Sequence, residues 1–402
     1  MKIGLLGQFG SGNTGNDGSL EAMLQLLKRN CPDARIVCIC SKPEIVASNF
    51  RIDARPVAQA LPSNRLLAAI NEALMHYPRR AVGFGAAFLL ARRLDLIIVP
   101  GTGILDDFNE NPFGWPFTML RWSLAAKLAG TRLAFVSIGA GPVRHPLSRF
   151  FIRQASSLSP FRSYRDQVSH DFMKGLGVDS RRDFVSADIA FALPTAPESQ
   201  LDENRLGESQ RVGIGVMTYR GWRKSAEDGA AIYDGYLGKM TALIGNLLAA
   251  GRKVRLLIGD KGDMEAAKDI LARLGPEEAE KVIFEPSASL HDLMDQIART
   301  DIVVASRYHN IVCALAMKRP AISVAYASKN DALLHDSGLD AFCHHIESFD
   351  PQTVLSQIDG MFEERERLVA GVETGVERYR DRLAQQEETL RAAFFENIRQ
   401  PA

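Results

Sequence analysis

The sequence predicts an α/β protein with two domains, each built on a parallel β-sheet. The chain has 402 residues, too many for one ordinary hydrophobic core and suited to two domains of about 150–200 residues each. Short runs rich in Val, Ile and Leu alternate with helical patterns, which is typical of parallel strands covered on both faces. A polar stretch from Pro194 to Arg211 interrupts the alternation, which then begins again.

The first half contains apolar runs that end in turns and are separated by helical patterns. Repeated strand–helix–strand units predict a doubly wound sheet that binds ligands at the carboxyl ends of its strands. The predicted strands are residues 3–6, 36–39, 94–99, 133–138 and 184–187, and the predicted helices are residues 20–28, 117–129 and 168–176.

The second half repeats this series. Its predicted strands are residues 212–216, 254–258, 282–284, 302–305 and 321–324, and helical patterns at 233–250, 264–274, 290–299 and 311–317 fit between them. After Phe349 the pattern is helical to the end. We therefore expect a Rossmann-like domain at residues 1–195, a linker at 196–210, a second Rossmann-like domain at 211–370 and a C-terminal helix at 371–402. By analogy, two such domains with a cleft between them form the GT-B architecture.

Charge and cysteine content exclude several classes of protein. Lys plus Arg and Asp plus Glu both number 48, so no overall field attracts nucleic acid, and anionic ligands need a few local cations. The five cysteines lie in apolar stretches without zinc-ligand spacing and predict buried, reduced thiols. The longest apolar stretch, residues 81–91, is shorter than the roughly 20 residues of a membrane span. We therefore expect a cytoplasmic protein.

The first predicted strand leads into a glycine loop. Residues 10–15 match the G-x-G-x-x-G pattern of dinucleotide-binding turns. However, the strand ends too early for that fingerprint, and Lys42 rather than an acidic residue follows the second strand, so NAD and NADP are disfavoured. Backbone N–H groups of such a loop can contact an anion, which makes Gly12, Asn13 and Asp17 candidate substrate-binding residues. The alternative is a tight turn in which Asp17 caps the next helix.

Two further turns repeat this pattern at the same predicted edge of the first sheet. Residues 101–103 follow the third strand, and residues 139–142 follow the fourth. Each signal alone is weak, and a purely structural turn explains it as well. Their common position at one sheet edge makes Gly103 and Gly141 candidate substrate contacts.

The segment Ser306-Arg307-Tyr308-His309-Asn310 is the most informative part of the sequence. It follows the predicted strand 302–305 and opens the next helix, so Arg307 and His309 should lie where anions bind. Arginine can bind a phosphate or carboxylate with two hydrogen bonds, and histidine exchanges protons near neutral pH. Alternatively, Arg307 pairs with an acidic side chain and His309 is a capping or core residue.

Other candidates also follow predicted strands. Lys329 follows the strand 321–324, although an isolated lysine is often simply exposed to solvent. In the first half, Arg165 is a second candidate for binding an anion, while Asp166 is better explained as a helix cap. Asp188 either contacts a substrate hydroxyl or closes the domain.

An aromatic and basic loop, residues 219–223, follows the first strand of the second half. Tyr219 and Trp222 are able to stack on a sugar ring, and interdomain packing explains them nearly as well. No acidic or histidine cluster has metal-ligand spacing, so we expect no metal site.

Together these segments resemble the polysaccharide pyruvyl transferase family. The resemblance spans roughly residues 1–340 in pieces and is most specific from Arg307 to Lys329. Residues 100–103 replace a longer glycine run, and Asn16 precedes Asp17 where an acidic run is usual. These departures concern the acceptor more than the donor. The matching segments are residues 10–17, 95–106, 137–142, 164–166, 188, 306–310 and 326–329.

The resemblance implies transfer of a pyruvyl group from phosphoenolpyruvate to a glycan or lipid-linked sugar as a ketal, without a cofactor. It implies that Arg165, Arg307 and Lys329 bind the donor's phosphate and carboxylate, and that His309 is the general acid. The acceptor side would lie in the first domain and the donor side in the second. Two alternatives stay open: a GT-B glycosyltransferase that uses a nucleotide sugar, and a non-catalytic sugar-binding paralogue.

Residues 65–93 mix apolar side chains with arginines. Arg79-Arg80 and Arg92-Arg93 flank a stretch that includes Phe88-Leu89-Leu90. We expect helices with an Arg-edged apolar face that contacts the inner face of the membrane, near a lipid-linked acceptor. The alternative is an ordinary helix packed on the sheet.

Overall fold

Two parallel β-sheets organise the chain into two units. The computed structural model describes residues 1–58, 72, 77–108, 110–195, 210–222 and 225–396 of the chain. The first unit comprises Met1–Ser11, Ser19–Ile189 and Ala384–Ala402, and the second comprises Gly12–Gly18 and Ala190–Leu383.

The sheet of the first unit has seven parallel strands in the order β3-β2-β1-β4-β5-β6-β7. The central strand β4 is buried along its whole length, which explains why its sequence is uniformly apolar. The strands are β1 (Lys2–Gly7), β2 (Arg35–Cys40), β3 (Asp53–Pro56), β4 (Leu96–Pro100), β5 (Arg132–Ile138), β6 (Phe161–Tyr164) and β7 (Phe184–Val185).

The helices of this unit lie on both faces of its sheet. Right-handed crossovers put the first two helices on one face and the next four on the other, because the strand order reverses direction between β1 and β4. The helices are α1 (Thr14–Asn30), α2 (Pro43–Phe50), α3 (Tyr77–Ala91), α4 (Trp115–Ala129), α5 (Pro146–Ser157) and α6 (Gln167–Gly175).

The sheet of the second unit has six parallel strands in the order β10-β9-β8-β11-β12-β13. They are β8 (Arg211–Gly215), β9 (Lys253–Leu257), β10 (Val282–Phe284), β11 (Ile302–Ala305), β12 (Ala321–Ala325) and β13 (Cys343–His345). The helices are α7 (Ala226–Ala249), α8 (Met264–Arg273), α9 (Pro276–Ala279), α10 (Leu290–Ala298), α11 (Tyr308–Ala316), α12 (Lys329–Asp336), α13 (Pro351–Glu363) and α14 (Arg365–Leu390).

The C-terminal helix α14 contributes to both units. In the second unit, Tyr379 stacks on Phe191 with ring centroids 4.6 Å apart. In the first unit, the buried Gln386 donates a hydrogen bond of 2.9 Å to the Ser137 hydroxyl of β5. Each unit therefore uses a different part of this helix in its own core.

The predicted fold class is confirmed: two parallel α/β domains are followed by C-terminal helices. The sequence missed β3, β6 and β13, because β3 is a largely exposed strand and the other two are rich in polar residues. Helix α1 begins at Thr14 rather than at the predicted residue 20, so the glycine loop runs directly into the helix.

Several predicted boundaries differ from the observed division. Residues 12–18 group with the second unit and Ala384–Ala402 with the first. The predicted linker 196–210 lies outside the described residues except for Gln210. Residues 65–76 of the predicted membrane-facing stretch also lie outside them, except for Glu72. None of the described helices is both long and apolar enough to cross a membrane.

All five cysteines are free thiols, but only three of them are buried. Cys31 and Cys343 are partly exposed, because Cys31 follows the end of α1 and Cys343 begins the edge strand β13. The prediction of buried thiols was therefore wrong for these two. Burial of part of the side chain still raises the pKa of Cys343 to about 12.

Candidate functional site

The second sheet changes direction between β8 and β11, which is where parallel α/β sheets open a crevice for ligands. Arg307 directly precedes α11 and is its N-cap residue, with φ −85° and ψ 137°. His309 lies in the first turn of that helix. The structure thus brings Arg307 and His309 to a strand end and a helix N-terminus, as the sequence predicted.

Arg307 forms a two-pronged ion pair with Asp263. Its Nε and Nη2 donate hydrogen bonds of 2.8 and 2.7 Å to the two carboxylate oxygens. The Asp263 side chain is fully buried, and one of its oxygens also accepts the Thr218 N–H at 3.0 Å. Burial acts to lower the pKa of Arg307, but the charge and hydrogen bonds of Asp263 outweigh it, so the pKa is raised and the guanidinium stays charged.

The ion pair is the alternative that the sequence left open for Arg307. The pair does not use all the hydrogen-bond donors of Arg307, because a guanidinium has five N–H donors and these two bonds use two of them. The Arg307 side chain is 24% exposed, so part of it reaches solvent. Asp263 therefore fixes one edge of the guanidinium and leaves its other edge for further acceptors.

The His309 ring lies against the backbone of Gly15 in α1. A Cβ atom on Gly15 would be 2.0 Å from His309 Nδ1, far closer than any real contact. The ring also packs edge-on against Tyr308, with centroids 5.4 Å apart. Position 15 must lack a side chain for the imidazole to occupy this place.

Asn13 and Thr14 hold the glycine loop to the segment that follows β9. Asn13 Nδ2 donates to Asp260 at 3.0 Å, and the Thr14 hydroxyl donates to the Gly259 carbonyl at 2.7 Å. The side-chain oxygen of Asn13 also accepts hydrogen bonds from the backbone N–H groups of Gly15 and Asn16, and so caps α1. Asn13 thus makes the capping contacts that the alternative interpretation gave to Asp17.

Gly12 and Asp17 lie on either side of the hydrogen-bonded residues Asn13 and Thr14 in the sequence. Gly12 has φ +100°, and a Cβ there would be 3.2 Å from the Lys261 side chain. Asp17 lies in the first turn of α1, where its negative charge is favoured by the helix dipole. The sequence therefore identified a loop that belongs to the same unit as His309, although the two segments are far apart in the chain.

Asn310 is fully buried beneath the first turn of α11. Cβ atoms on Gly215 and Gly259 would be 2.5 and 2.4 Å from its amide nitrogen and oxygen, so the amide lies between two glycines. In the described part of the chain, neither amide atom has a hydrogen-bond partner. These glycines at the ends of β8 and β9 let α11 approach the sheet closely.

Lys329 is the first residue of α12, following β12, and only 8% of it is exposed. The sequence alternative of a solvent-exposed lysine is thus wrong. The positive charge of a lysine buried at a helix N-terminus is disfavoured both by desolvation and by the helix dipole. An adjacent anion offsets these costs.

Tyr219 and Trp222 are buried, not exposed at a crevice mouth as the sugar-stacking hypothesis required. Tyr219 stacks on Tyr326 with centroids 5.7 Å apart, and Trp222 lies 6.3 Å from the same ring. The Tyr219 hydroxyl donates to Glu347 at 2.7 Å. These aromatic rings pack within the second unit, and burial leaves them little surface for a sugar.

In the first unit, Arg165 is buried and surrounded by carboxylates. Its Nη1 donates to Asp188 at 3.2 Å, and its Nε lies 3.5 Å from Asp166. A Cβ on Gly139 would be 2.7 Å from the guanidinium carbon, so the guanidinium lies directly on that glycine. The Arg165 charge is therefore balanced by two acidic neighbours, and Asp188 serves this contact.

The remaining glycine candidates, Gly103 and Gly141, differ in their surroundings. A Cβ on Gly103 would be 3.7 Å from the guanidinium, which makes Gly103 an ordinary neighbour. Gly141 has φ +66° and lies against the Phe172 ring, so it has a structural role in its turn. Asp166 caps α6 by accepting the Ser169 N–H at 2.6 Å, as the sequence predicted.

No group of three or more metal-ligating side chains occurs among the residues that the structure describes. Sequence reasoning missed Asp263 and the role of Gly15. Asp263 had a weak signal, since it follows β9 in the polar turn Gly259-Asp260-Lys261-Gly262. Gly15 was visible as part of the loop, but its contact with His309 has no local signature.

Comparison with known proteins places these features in a family. A family model described as polysaccharide pyruvyl transferase matches residues 13–328. The amylovoran biosynthesis protein AmsJ of Erwinia amylovora is 22% identical over 417 aligned positions, covering 94% of this chain and 96% of AmsJ.

Solved structures with a similar fold have little sequence identity. The S. aureus MnaA–UDP structure has a TM-score of 0.62 at 12% identity, covering 100% of this chain and 99% of MnaA. Anabaena Alr3699/HepE in complex with UDP has a TM-score of 0.61 at 14% identity, covering 98% and 99%. These likenesses confirm the predicted GT-B-like fold class.

We predict that Asp263→Asn destabilises the protein, because it leaves the Arg307 guanidinium without its counter-charge. Breaking a buried ion pair costs about 3–5 kcal/mol, and the partial exposure of Arg307 puts the loss at or below the lower end of that range. Urea denaturation measures it. Glu265→Gln, which breaks the exposed Arg220–Glu265 pair, is the matched control and should cost no more than about 1 kcal/mol. Equal, small losses in both variants would refute the structural role of the Asp263 pair.

We predict that Gly15→Ala also destabilises the protein, because the new methyl group would overlap the His309 ring. In a helix without such overlap, the same substitution stabilises by about 0.5–1 kcal/mol. Gly238→Ala in α7, where no atom lies within 4 Å of the new Cβ, is the control and should show that gain. Thermal denaturation distinguishes the two signs, and a gain in both variants would rule out the close approach.

Proposed function

The chain belongs to the polysaccharide pyruvyl transferase family, and on this premise we propose that it transfers a pyruvyl group from phosphoenolpyruvate to two hydroxyls of a glycan, forming a ketal. The observation that carries the proposal is the contact between His309, at the N-terminus of α11, and Gly15. It joins the two segments of the second unit that contain the imidazole, a fixed guanidinium and the candidate anion-binding loop. Both segments lie within the residues that the family model matches.

The donor's charges suit the cations of the second unit. Phosphoenolpyruvate carries a phosphate and a carboxylate, which must be held apart and oriented. Arg307 has N–H donors beyond the two that bind Asp263, and guanidinium groups bind such anions with paired hydrogen bonds. Lys329 would supply the second cation. The N-terminus of α11 adds the positive end of a helix dipole.

His309 would act as the general acid. It gives a proton to the methylene carbon of the donor, the double-bond electrons form the new C–H bond, and a sugar oxygen bonds to the neighbouring carbon. The C–O bond to phosphate then breaks and phosphate leaves with the bonding electrons. The second hydroxyl bonds to the same carbon and completes the ketal. Of the two protons lost by the sugar hydroxyls, one restores His309 and the other goes to solvent or phosphate.

We propose that Arg165 also binds a donor anion. Asp166 and Asp188 hold its guanidinium, which favours a fixed orientation over a strong net positive field. The nearby Gly103 remains a candidate contact for the acceptor sugar. The acceptor is proposed to be a polysaccharide or its lipid-linked precursor, in keeping with the family and with the name of AmsJ.

The direct test is release of inorganic phosphate from phosphoenolpyruvate in the presence of glycan fractions. The proposal predicts release that depends on both the donor and a glycan, with a pyruvate ketal in the product. The structures of MnaA and HepE contain UDP, so nucleotide sugars serve as the competing donors. Release of UDP from a nucleotide sugar, without use of phosphoenolpyruvate, would instead identify a glycosyltransferase. Activity with neither donor would identify a non-catalytic paralogue.

We predict that His309→Gln lowers kcat by about 10²–10⁴-fold while donor binding is largely retained, because glutamine keeps much of the shape and cannot deliver the proton. Steady-state phosphate release measures kcat and KM separately. His335→Gln is the matched control, since the His335 side chain is 74% exposed on α12. Turnover of His309→Gln within a few-fold of the control would make His309 structural, and Lys329 would become the candidate acid.

We predict that Arg307→Lys and Arg165→Lys each weaken donor binding, because lysine keeps the charge and loses the paired hydrogen bonds. One lost hydrogen bond to a charged group is worth about 1.5–3 kcal/mol, or about 10–100-fold in affinity. Equilibrium titration with phosphoenolpyruvate measures the change. Arg273→Lys, at a surface pair with Asp234, is the control and should bind normally. Normal binding by both test variants would remove these arginines from the donor site.

A further inference from the structure

Three neighbouring helices of the first unit carry basic residues and no acidic ones. Helices α3, α4 and α5 have 15, 15 and 12 residues and contain no Asp or Glu. The chain as a whole has equal numbers of acidic and basic residues, 48 of each, so this distribution is local. The basic residues on these helices or directly after α3 are Arg79, Arg80, Arg92, Arg93, Arg121, Lys127, Arg149 and Arg153.

The same helices expose large apolar side chains. Nine such side chains are exposed among the described residues, and six of them lie on or directly beside α3, α4 and α5. Val82, Leu89 and Leu128 are 64, 60 and 61% exposed. The remaining three of these six are Phe113, Leu124 and Phe150. Scattered apolar residues are normal on a protein surface, but this concentration indicates an interaction site.

These helices form one layer on one face of the sheet. The connections from β3 to β4, β4 to β5 and β5 to β6 all run in the same direction across the sheet, so right-handed crossovers place their helices on the same side. Helix α3 packs on α4, and α4 packs on α5. Ala87, Trp122 and Ile152 form the inner side of the layer in the hydrophobic core. The exposed residues named above therefore lie outside the core contacts of a single helical layer.

Arginines and apolar groups are mixed within this layer. The Arg80 guanidinium lies 3.8 Å from the centroid of the Phe113 ring. A cavity of about 260 Å³ lies beside α3 and α4 and reaches the exposed Leu89. Its lining includes Arg55 and Arg93 together with Val57, Leu90 and Trp122. Two arginines next to an apolar wall suit an anionic group that is attached to a hydrocarbon chain.

We propose that this basic apolar face, formed by α3, α4 and α5, docks on an anionic phospholipid bilayer. Apolar side chains such as Leu89 and Leu128 enter the boundary between headgroups and acyl chains, and the surrounding arginines contact lipid phosphates. The cavity gives one lipid phosphate two guanidinium partners, Arg55 and Arg93. A second copy of the chain is a poorer occupant, because a symmetric contact would bring two basic faces together. The docking does not depend on the reaction proposed above.

The test is co-sedimentation of the full chain with vesicles of phosphatidylcholine mixed with phosphatidylglycerol, and with vesicles of phosphatidylcholine alone. We expect binding to the anionic vesicles at low ionic strength, weaker binding in salt and little binding to the neutral vesicles. Leu89→Glu and Leu128→Glu, tested separately, should each reduce binding at least tenfold. Ile45→Glu is the matched control, because Ile45 is 41% exposed on α2, on the opposite face of the same sheet; it should bind like the unaltered chain.

A double variant, Arg92→Gln with Arg93→Gln, tests the charge without altering an apolar group. Removal of each arginine should weaken binding to anionic vesicles by about fivefold, and Lys28→Gln on α1 should have no effect. This variant decides the matter if the glutamate variants fail to fold, as judged by circular dichroism. Absence of binding to anionic vesicles at low salt would overturn the proposal. Equal losses in the control variants would also overturn it, as would a dimer that dissociates in the Leu89→Glu variant without any vesicle binding.

Discussion

The contact between the Gly15 backbone and the His309 ring is the constraint on which the second unit's site depends. The first turn of α1 and the first turn of α11 can meet there because residue 15 has no side chain. Asn13 and Thr14 secure the approach through hydrogen bonds to the segment after β9, and the Asn13–Asp260 bond spans 247 positions of sequence. Because Gly15 has no side chain, the glycine loop can lie against the N-terminus of α11 and the His309 imidazole, although these segments are far apart in the sequence.

The same region contains charges whose positions are determined by burial. A fully buried Asp263 carboxylate is costly unless it is paired, so its two bonds with Arg307 stabilise the folded chain as well as orient the guanidinium. Tyr236 supports the same junction: its hydroxyl lies 3.0 Å from the Ser306 hydroxyl, and burial raises its pKa to about 12, which keeps it protonated. The guanidinium of Arg307 is consequently held in place by the folded chain, so an anion that bound to it would cost little further side-chain entropy.

The sequence predicted the parts of this account that have local signatures. Buried parallel strands give continuous apolar runs, and the Ser306–Asn310 segment could be placed between a strand and a helix because both neighbours were clear. The partners could not be predicted in this way. The pairing of Arg307 with Asp263, the pairing of Arg165 with Asp188 and the packing of Tyr219 on Tyr326 join residues that are distant in sequence. The polar edge strand β13 was missed because edge strands lack the apolar pattern of central ones.

We propose that the second unit binds phosphoenolpyruvate and not a nucleotide sugar. Thermal denaturation in the presence of each ligand tests it without a known acceptor, since a ligand at about 100 times its Kd stabilises the folded chain by about 2.7 kcal/mol. We expect a saturable rise in Tm with phosphoenolpyruvate and none with UDP-glucose. A saturable rise with UDP-glucose and none with phosphoenolpyruvate would contradict the account.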